Sequence, residues 1–136
     1  MSSMLLQPIG HIRSTLTVRK NAPRQGDEGA PDAWLDLDAG VTVGLRGVQV
    51  GDALWILRWL HEAVRDVLLV HPRGRTERPA VGVFASRSPD RPNPIGLHQV
   101  VVREIADASL RIGPIEAIDG TPVVDIKPVI GPPDTR

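Results

Sequence analysis

The sequence has no cysteine and no tyrosine, a single phenylalanine, and three tryptophans among 136 residues. Without cysteine, disulfides and thiolate metal sites are excluded, which fits a cytoplasmic protein. The four histidines, His11, His61, His71 and His98, include no pair at helical i, i+4 spacing, so no metal centre is expected. No apolar run approaches the roughly 20 residues that a membrane span requires. The N-terminus lacks the basic-then-apolar pattern of a signal peptide. Glycine-rich dinucleotide and phosphate loops are missing, as is the GxSxG elbow, so dinucleotide binding, P-loop phosphoryl transfer and α/β-hydrolase chemistry have no support in the sequence. Charge of either sign is also missing in excess, since the formal net charge is zero. Dedicated nucleic-acid binders are usually basic, so neutrality argues against tight, independent RNA binding and leaves room only for a local basic face. Lysine is confined to Lys20 and Lys127, and arginine, with its planar bidentate fork, supplies the other cations.

What is present describes one globular domain spanning residues 1–136, with 41% hydrophobic and 24% charged residues. Residues 5–17 read as a first strand interrupted near Pro8 and Gly10. Residues 20–32, KNAPRQGDEGAPD, read as a polar loop. Residues 33–37 alternate as a short strand. The run ALWILRWL at 53–60 is open between buried strand and helix. As a strand, it puts Trp55, Leu57 and Trp59 on one face and Leu54, Ile56, Arg58 and Leu60 on the other. Further strands are expected at 66–71, 80–85, 99–105, 109–112 and 122–129, with 131–136 as a frayed tail. Short strands separated by Gly and Pro favour an all-β sheet or barrel.

The densest chemical signal is FASRSPDRPNPIGL at 84–97. Pro89, Pro92 and Pro94 stiffen the backbone around Asp90, Arg91 and Asn93, and Gly96 permits a close backbone approach. Such a preorganised polar loop suits a site whose main task is positioning, and equally suits a rigid connector with solvated arginines. In EAIDGTPVVDIKP at 116–128, Asp119-Gly120 signals a turn. Asp125 and Lys127 share a strand face, either paired with each other or reaching together into a cleft. His61-Glu62, closing the ALWILRWL run, can set an imidazole beside a pocket.

These segments resemble a known family. GVFASRSPDRPNPIGL at 82–97 is similar to the GVFATRSPxRPNPIGL signature of the TsaA/TrmO family, and IDGTPVVDIKP at 118–128 to its LDGTPVLDIKPY signature. PIGHIRS at 8–14 resembles its opening strand, and Pro23-Arg24-Gln25 its PRQ element. The four matches keep the family's order and span most of the chain. Two positions depart from the pattern. Residues 51–55 lack the histidine of the family's Ser-His-hydrophobic-Trp element, and Val129 stands where a tyrosine follows DIKP.

The resemblance implies an all-β, single-sheet barrel of six to seven strands with few short helices, unrelated to the Rossmann methyltransferases. It also implies S-adenosylmethionine as cofactor, bound near the interface of a homodimer. The implied activity is methylation of the exocyclic nitrogen of threonylcarbamoyladenosine beside the anticodon of transfer RNA. By motif position, the implied cofactor contacts are Pro23, Arg24, Gln25, His61, Glu62, Arg87, Leu97, Ala117, Ile118, Asp119 and Gly120. Arg91 and Asn93 would orient the nucleotide. Asp125 would take the acceptor's proton, with Lys127 as its partner or as a contact to the substrate carboxylate. The further C-terminal domain that some members use to hold transfer RNA is not expected here. Methylation of a small molecule or another RNA, or cofactor binding without catalysis, are the alternative readings.

Overall fold

The computed structural model describes residues 3–15, 31–71 and 74–131. Eight strands occur among them: β1 (Gly10–Arg13), β2 (Ala33–Leu37), β3 (Ala53–Trp59), β4 (Leu69–Val70), β5 (Val81–Gly82), β6 (Ile95–Ala106), β7 (Ser109–Gly113) and β8 (Pro122–Pro128). Six of them close a barrel in the order β1-β2-β7-β6-β3-β8, with β8 pairing back to β1. Every pairing is antiparallel. β4 and β5 form a separate two-stranded ribbon. The all-β barrel expected from the sequence is what forms.

Alternation explains the closure. Along β3, Leu54, Ile56 and Arg58 are buried and their neighbours only partly so. This settles ALWILRWL as strand, because partners on both sides, β6 and β8, accept its edges. Inward residues of the other strands complete the core, including Ile12, Leu35, Val100, Val102, Leu110, Ile112 and Val123. Burying each large aliphatic side chain contributes about 1.5–3 kcal/mol.

Several strands differ in extent from the sequence reading. β1 starts only at Gly10, where pairing with Leu37 and Val123 begins, and Leu5 upstream stays exposed. β6 begins four residues earlier than Gln99, because Ile95, Gly96 and Leu97 pair with Trp59, Arg58 and Leu57. The strands expected at 66–71 and 80–85 shrink to the β4–β5 ribbon. There Val83 donates to the Leu68 carbonyl, and residues 83–85 then turn into a 3-10 helix. A second 3-10 segment, Ala39–Leu45, had no counterpart in the sequence reading.

Strand polarity separates two barrel ends. β1, β3 and β7 leave, and β2, β6 and β8 enter, at one end. The segments 60–68, 83–94 and 114–121 therefore cluster there. The opposite end carries the 3-10 segment Ala39–Leu45 and the tight β6–β7 turn.

Candidate functional site

The end that gathers the motif loops is tied together by its own polar groups. Arg65 donates from Nε to the Pro92 carbonyl at 2.8 Å and from Nη2 to Asn93 Oδ1 at 3.2 Å. Its guanidinium also lies 5.1 Å from the centroid of the Trp59 ring. The Val64 amide donates to Asp90 Oδ1 at 2.8 Å, and the Arg91 amide to the Val64 carbonyl at 3.1 Å. These bonds clip the proline-rich loop onto the segment that leaves β3.

Arg91 is spent inside its own loop. Nη1 donates to the carbonyls of Ser86 and Ser88, and Nη2 to that of Val83, at 2.8–3.1 Å. The three prolines cannot donate, and the guanidinium adds three hydrogen bonds to those that the Ser86 and Ser88 side chains make within the loop. Asn93 is exposed beside it.

His61 and Glu62 occupy the turn after β3, with Nε2 and Oε2 3.7 Å apart. Leu97 lies on β6 opposite Leu57, its side chain on the outer face and 39% exposed. In the 114–121 segment Ala117 is buried, Ile118 half-buried, and Asp119 and Gly120 are exposed. The following turn is fixed in two ways. The Ser14 amide donates to Asp119 Oδ1 at 2.9 Å, and Thr121 Oγ1 donates to the Ile118 carbonyl at 2.5 Å. Pro23, Arg24 and Gln25 fall outside the described residues.

Asp125 and Lys127 share a face, as their spacing requires. Asp125 sits opposite Leu57 and Lys127 opposite Trp55, so both point outward, and Lys127 Nζ lies 3.6 Å from Asp125 Oδ2. The row Asp125–Leu57–Leu97 crosses three strands, which sets Asp125 about 10 Å from Leu97. Around that row, Trp55, Trp59 and Ile95 make the outer face of β3 and β6 largely apolar.

Three residues that sequence reasoning did not single out meet inside the same barrel end. Arg58 is the last inward residue of β3, at 9% exposure. Its Nη2 contacts Nε2 of His98, an inward residue of β6, and Glu116 Oε1 lies 3.9 Å from the same nitrogen. Burial lowers the Arg58 pKa to about 10, with Glu116 opposing the fall, so it stays charged. Burial first, and then the charges of Arg58 and Arg87, lower the His98 pKa to about 3. The signal that could have exposed them was an arginine on an otherwise aliphatic strand face.

A recess of about 520 Å³ opens at the opposite end, lined by Ile9, Leu37, Leu45, Val48 and Ile126 among others. Asp125, Ile126 and Pro128 of the second motif and Ile9 of the opening one line it, but no residue of the segments 60–68, 83–94 and 114–121 does. At the loop end, by contrast, polar groups converge on a rigid frame.

The chain matches the family described as tRNA-methyltransferase O N-terminal domain over residues 11–135. It is 36% identical to the tRNA (adenine(37)-N6)-methyltransferase of Escherichia coli, over 96% of this chain and 59% of that protein. It is 39% identical to an S-adenosyl-L-methionine-binding protein of Archaeoglobus fulgidus, over 91% of this chain and 88% of that protein. The crystal structure of TrmO from Pseudomonas aeruginosa superposes with a TM-score of 0.77 at 30% identity, over 99% of this chain and 60% of that one. The chain thus spans about three-fifths of the E. coli and P. aeruginosa proteins.

Proposed function

Because the chain belongs to the tRNA-methyltransferase O family, we propose that it is an S-adenosylmethionine-dependent methyltransferase. Its acceptor is the exocyclic nitrogen of threonylcarbamoyladenosine in the anticodon loop of transfer RNA. The observation that carries this reading is the convergence of the motif segments 60–68, 83–94 and 114–121 at one end of a closed barrel.

The residues at that end suit the cofactor. When bound, S-adenosylmethionine supplies a methyl group activated on a positively charged sulfur. The exposed turn Asp119-Gly120, held by Ser14 and Thr121, is the proposed contact to its adenosine, with Ala117, Ile118 and Leu97 beside it. Arg87 or Arg24 is the proposed contact to the methionine carboxylate, with His61 and Glu62 as further proposed cofactor contacts. Glu62 carries the negative charge that favours a bound cation.

Methyl transfer of this kind depends chiefly on placement. Arg91 contributes by holding the proline-rich loop in shape, and Asn93 offers an exposed amide to the acceptor nucleotide. Asp125 is the proposed proton acceptor and Lys127 its partner, both on the outward face. A second copy of the chain is proposed to cover the outer face of β3 and β6. Trp55, Leu57, Trp59, Ile95 and Leu97 make that face apolar, in keeping with a homodimer.

The test is transfer from methyl-labelled S-adenosylmethionine to transfer RNA, with and without the threonylcarbamoyl modification. Label entering only the modified RNA supports the reading. Cofactor binding without incorporation into either RNA refutes the acceptor and leaves a small molecule, another RNA or pure cofactor binding. Full activity in Asp125→Asn removes the proton-acceptor role.

A further inference from the structure

The reading above leaves the buried cluster of Arg58, His98 and Glu116 unused. Its placement is specific. Arg58 pairs across β3 and β6 with Gly96, and a Cβ built on Gly96 would lie 3.3 Å from both Cγ and Nε of Arg58. The missing side chain thus makes the seat in which the arginine lies. His98, two residues further along β6, points to the same interior. The His98 and Glu116 side chains are 11% and 13% exposed, so both still reach the surface of the barrel mouth.

The contact between Arg58 and His98 dictates a tautomer. A guanidinium can only donate, so His98 Nε2 must present its lone pair to Arg58 Nη2. A neutral imidazole then carries its single proton on Nδ1. Among the described residues, the charged groups that act on the ring are Arg58 and Arg87, both cationic, and the carboxylate of Glu116. A fixed N–H donor in a surplus of positive charge is complementary to an anionic oxygen.

We propose that His98, held by Arg58 as its positioning residue, donates its Nδ1 hydrogen to a carboxylate oxygen of the molecule bound in the mouth. This rests on the methyltransferase reading. It adds a binding residue on β6 whose side chain faces the interior, opposite to that of Leu97. Two carboxylates have this chemistry: that of the cofactor's methionine portion and that of the acceptor's threonyl group.

Ring-nitrogen NMR of the full chain, labelled with 15N, tests the tautomer directly. The expected result is a protonated Nδ1 and an unprotonated Nε2 from pH 5 to 8. The reverse assignment overturns the proposal. Arg58→Met is expected to mix the tautomers, and Arg58→Lys to preserve the Nδ1 hydrogen.

Calorimetry and kinetics then separate the two sources, using His98→Asn and His98→Gln. Asparagine places its amide nitrogen near the position of Nδ1, glutamine near that of Nε2. If the cofactor supplies the carboxylate, His98→Gln weakens S-adenosylmethionine binding at least about 10-fold, and leaves binding of decarboxylated S-adenosylmethionine unchanged. If the acceptor supplies it, cofactor affinity holds. KM for modified transfer RNA then rises about 10-fold at constant kcat. In either case His98→Asn stays closer to the native chain. Equal losses in both variants, or no loss in either, overturn the proposal. Should no RNA be methylated at all, the NMR and the cofactor calorimetry still decide. An unchanged affinity for S-adenosylmethionine in His98→Gln would then be the overturning result.

Discussion

A neutral histidine buried between cations makes the fold acid-sensitive in a defined window. The folded His98 has a pKa of about 3, against 6.5 for an ordinary imidazole. As pH falls below about 6.5, the unfolded chain takes up a proton that the folded chain refuses, so unfolding gains. Stability from this group is therefore complete above pH 6.5 and is lost progressively until the folded ring also protonates. At pH 5 the unfolded imidazole is about 97% protonated and the folded one almost not at all, which gives a loss of about 2 kcal/mol relative to pH 7. That is a sizeable part of the roughly 5–15 kcal/mol that stabilises a typical domain. The loss at pH 5 is governed by the unfolded value, since the folded ring is deprotonated throughout that range. The assay is urea unfolding at pH 7, 6 and 5, followed by tryptophan fluorescence, on the native chain and on His98→Gln. Glutamine still offers Arg58 an acceptor and does not titrate. The native chain should lose about 2 kcal/mol more than the variant between pH 7 and 5. Identical pH slopes for the two proteins would refute the assignment of a buried, neutral imidazole.

Three other perturbations have outcomes set by the geometry. A Cβ on Gly10 would lie 2.4 Å from the Asp36 carbonyl oxygen and 3.0 Å from the Leu37 Cα, both backbone atoms of β2. Gly10→Ala should therefore cost about 1–3 kcal/mol through forced strand displacement, and lower the melting temperature by several degrees. Gly40→Ala, with nothing within 4 Å, serves as the control in the same scan. Arg91→Lys loses the fork that holds the carbonyls of Val83, Ser86 and Ser88, so amide exchange across 86–91 should quicken by about 10-fold while the barrel strands keep their protection. The Arg13 guanidinium, with the Ser109 hydroxyl, holds the Asp36 carboxyl below its usual range, so its stabilisation is present above that range and fades as pH falls through it. Asp36→Asn should accordingly lower the urea midpoint at pH 7, and its difference from the native chain should shrink as pH falls through the lowered folded pKa of Asp36.

The barrel was legible because its strands alternate. Leu54, Ile56 and Arg58 share an inward face in the structure as period-two spacing requires, and Asp125 and Lys127 share an outward one. Strand limits were less legible where pairing, rather than composition, decides them. Ile95 to Leu97 looked like the end of a proline-rich loop, yet the exit of β3 offers them an open edge, and β6 takes them up. The role of Arg91 also needed coordinates, since an arginine in a polar loop gives no sign that it will bond its own carbonyls.

Arg58 and His98 were hidden for a different reason. They are 40 residues apart, and neither belongs to a dense motif. The register of β3 against β6 brings them together, pairing Arg58 with Gly96 and Ile56 with His98. The sequence does contain half of the argument. An arginine sharing a face with Leu54, Ile56 and Leu60 must either break the strand pattern or find buried partners, because an unpartnered interior charge is costly. A glycine across from it and an imidazole one inward position further on are what such a charge needs: room for its stem and a lone pair for its head. Gly96 in the proline-rich motif is therefore a backbone requirement of the loop end, and in this chain it is also what admits a cation beneath the proposed cofactor mouth. Gly96→Ala tests that coupling. The Leu60 side chain and the Arg58 stem must each give by a few tenths of an ångström, and the displacement of Arg58 should appear in the His98 ring-nitrogen shifts.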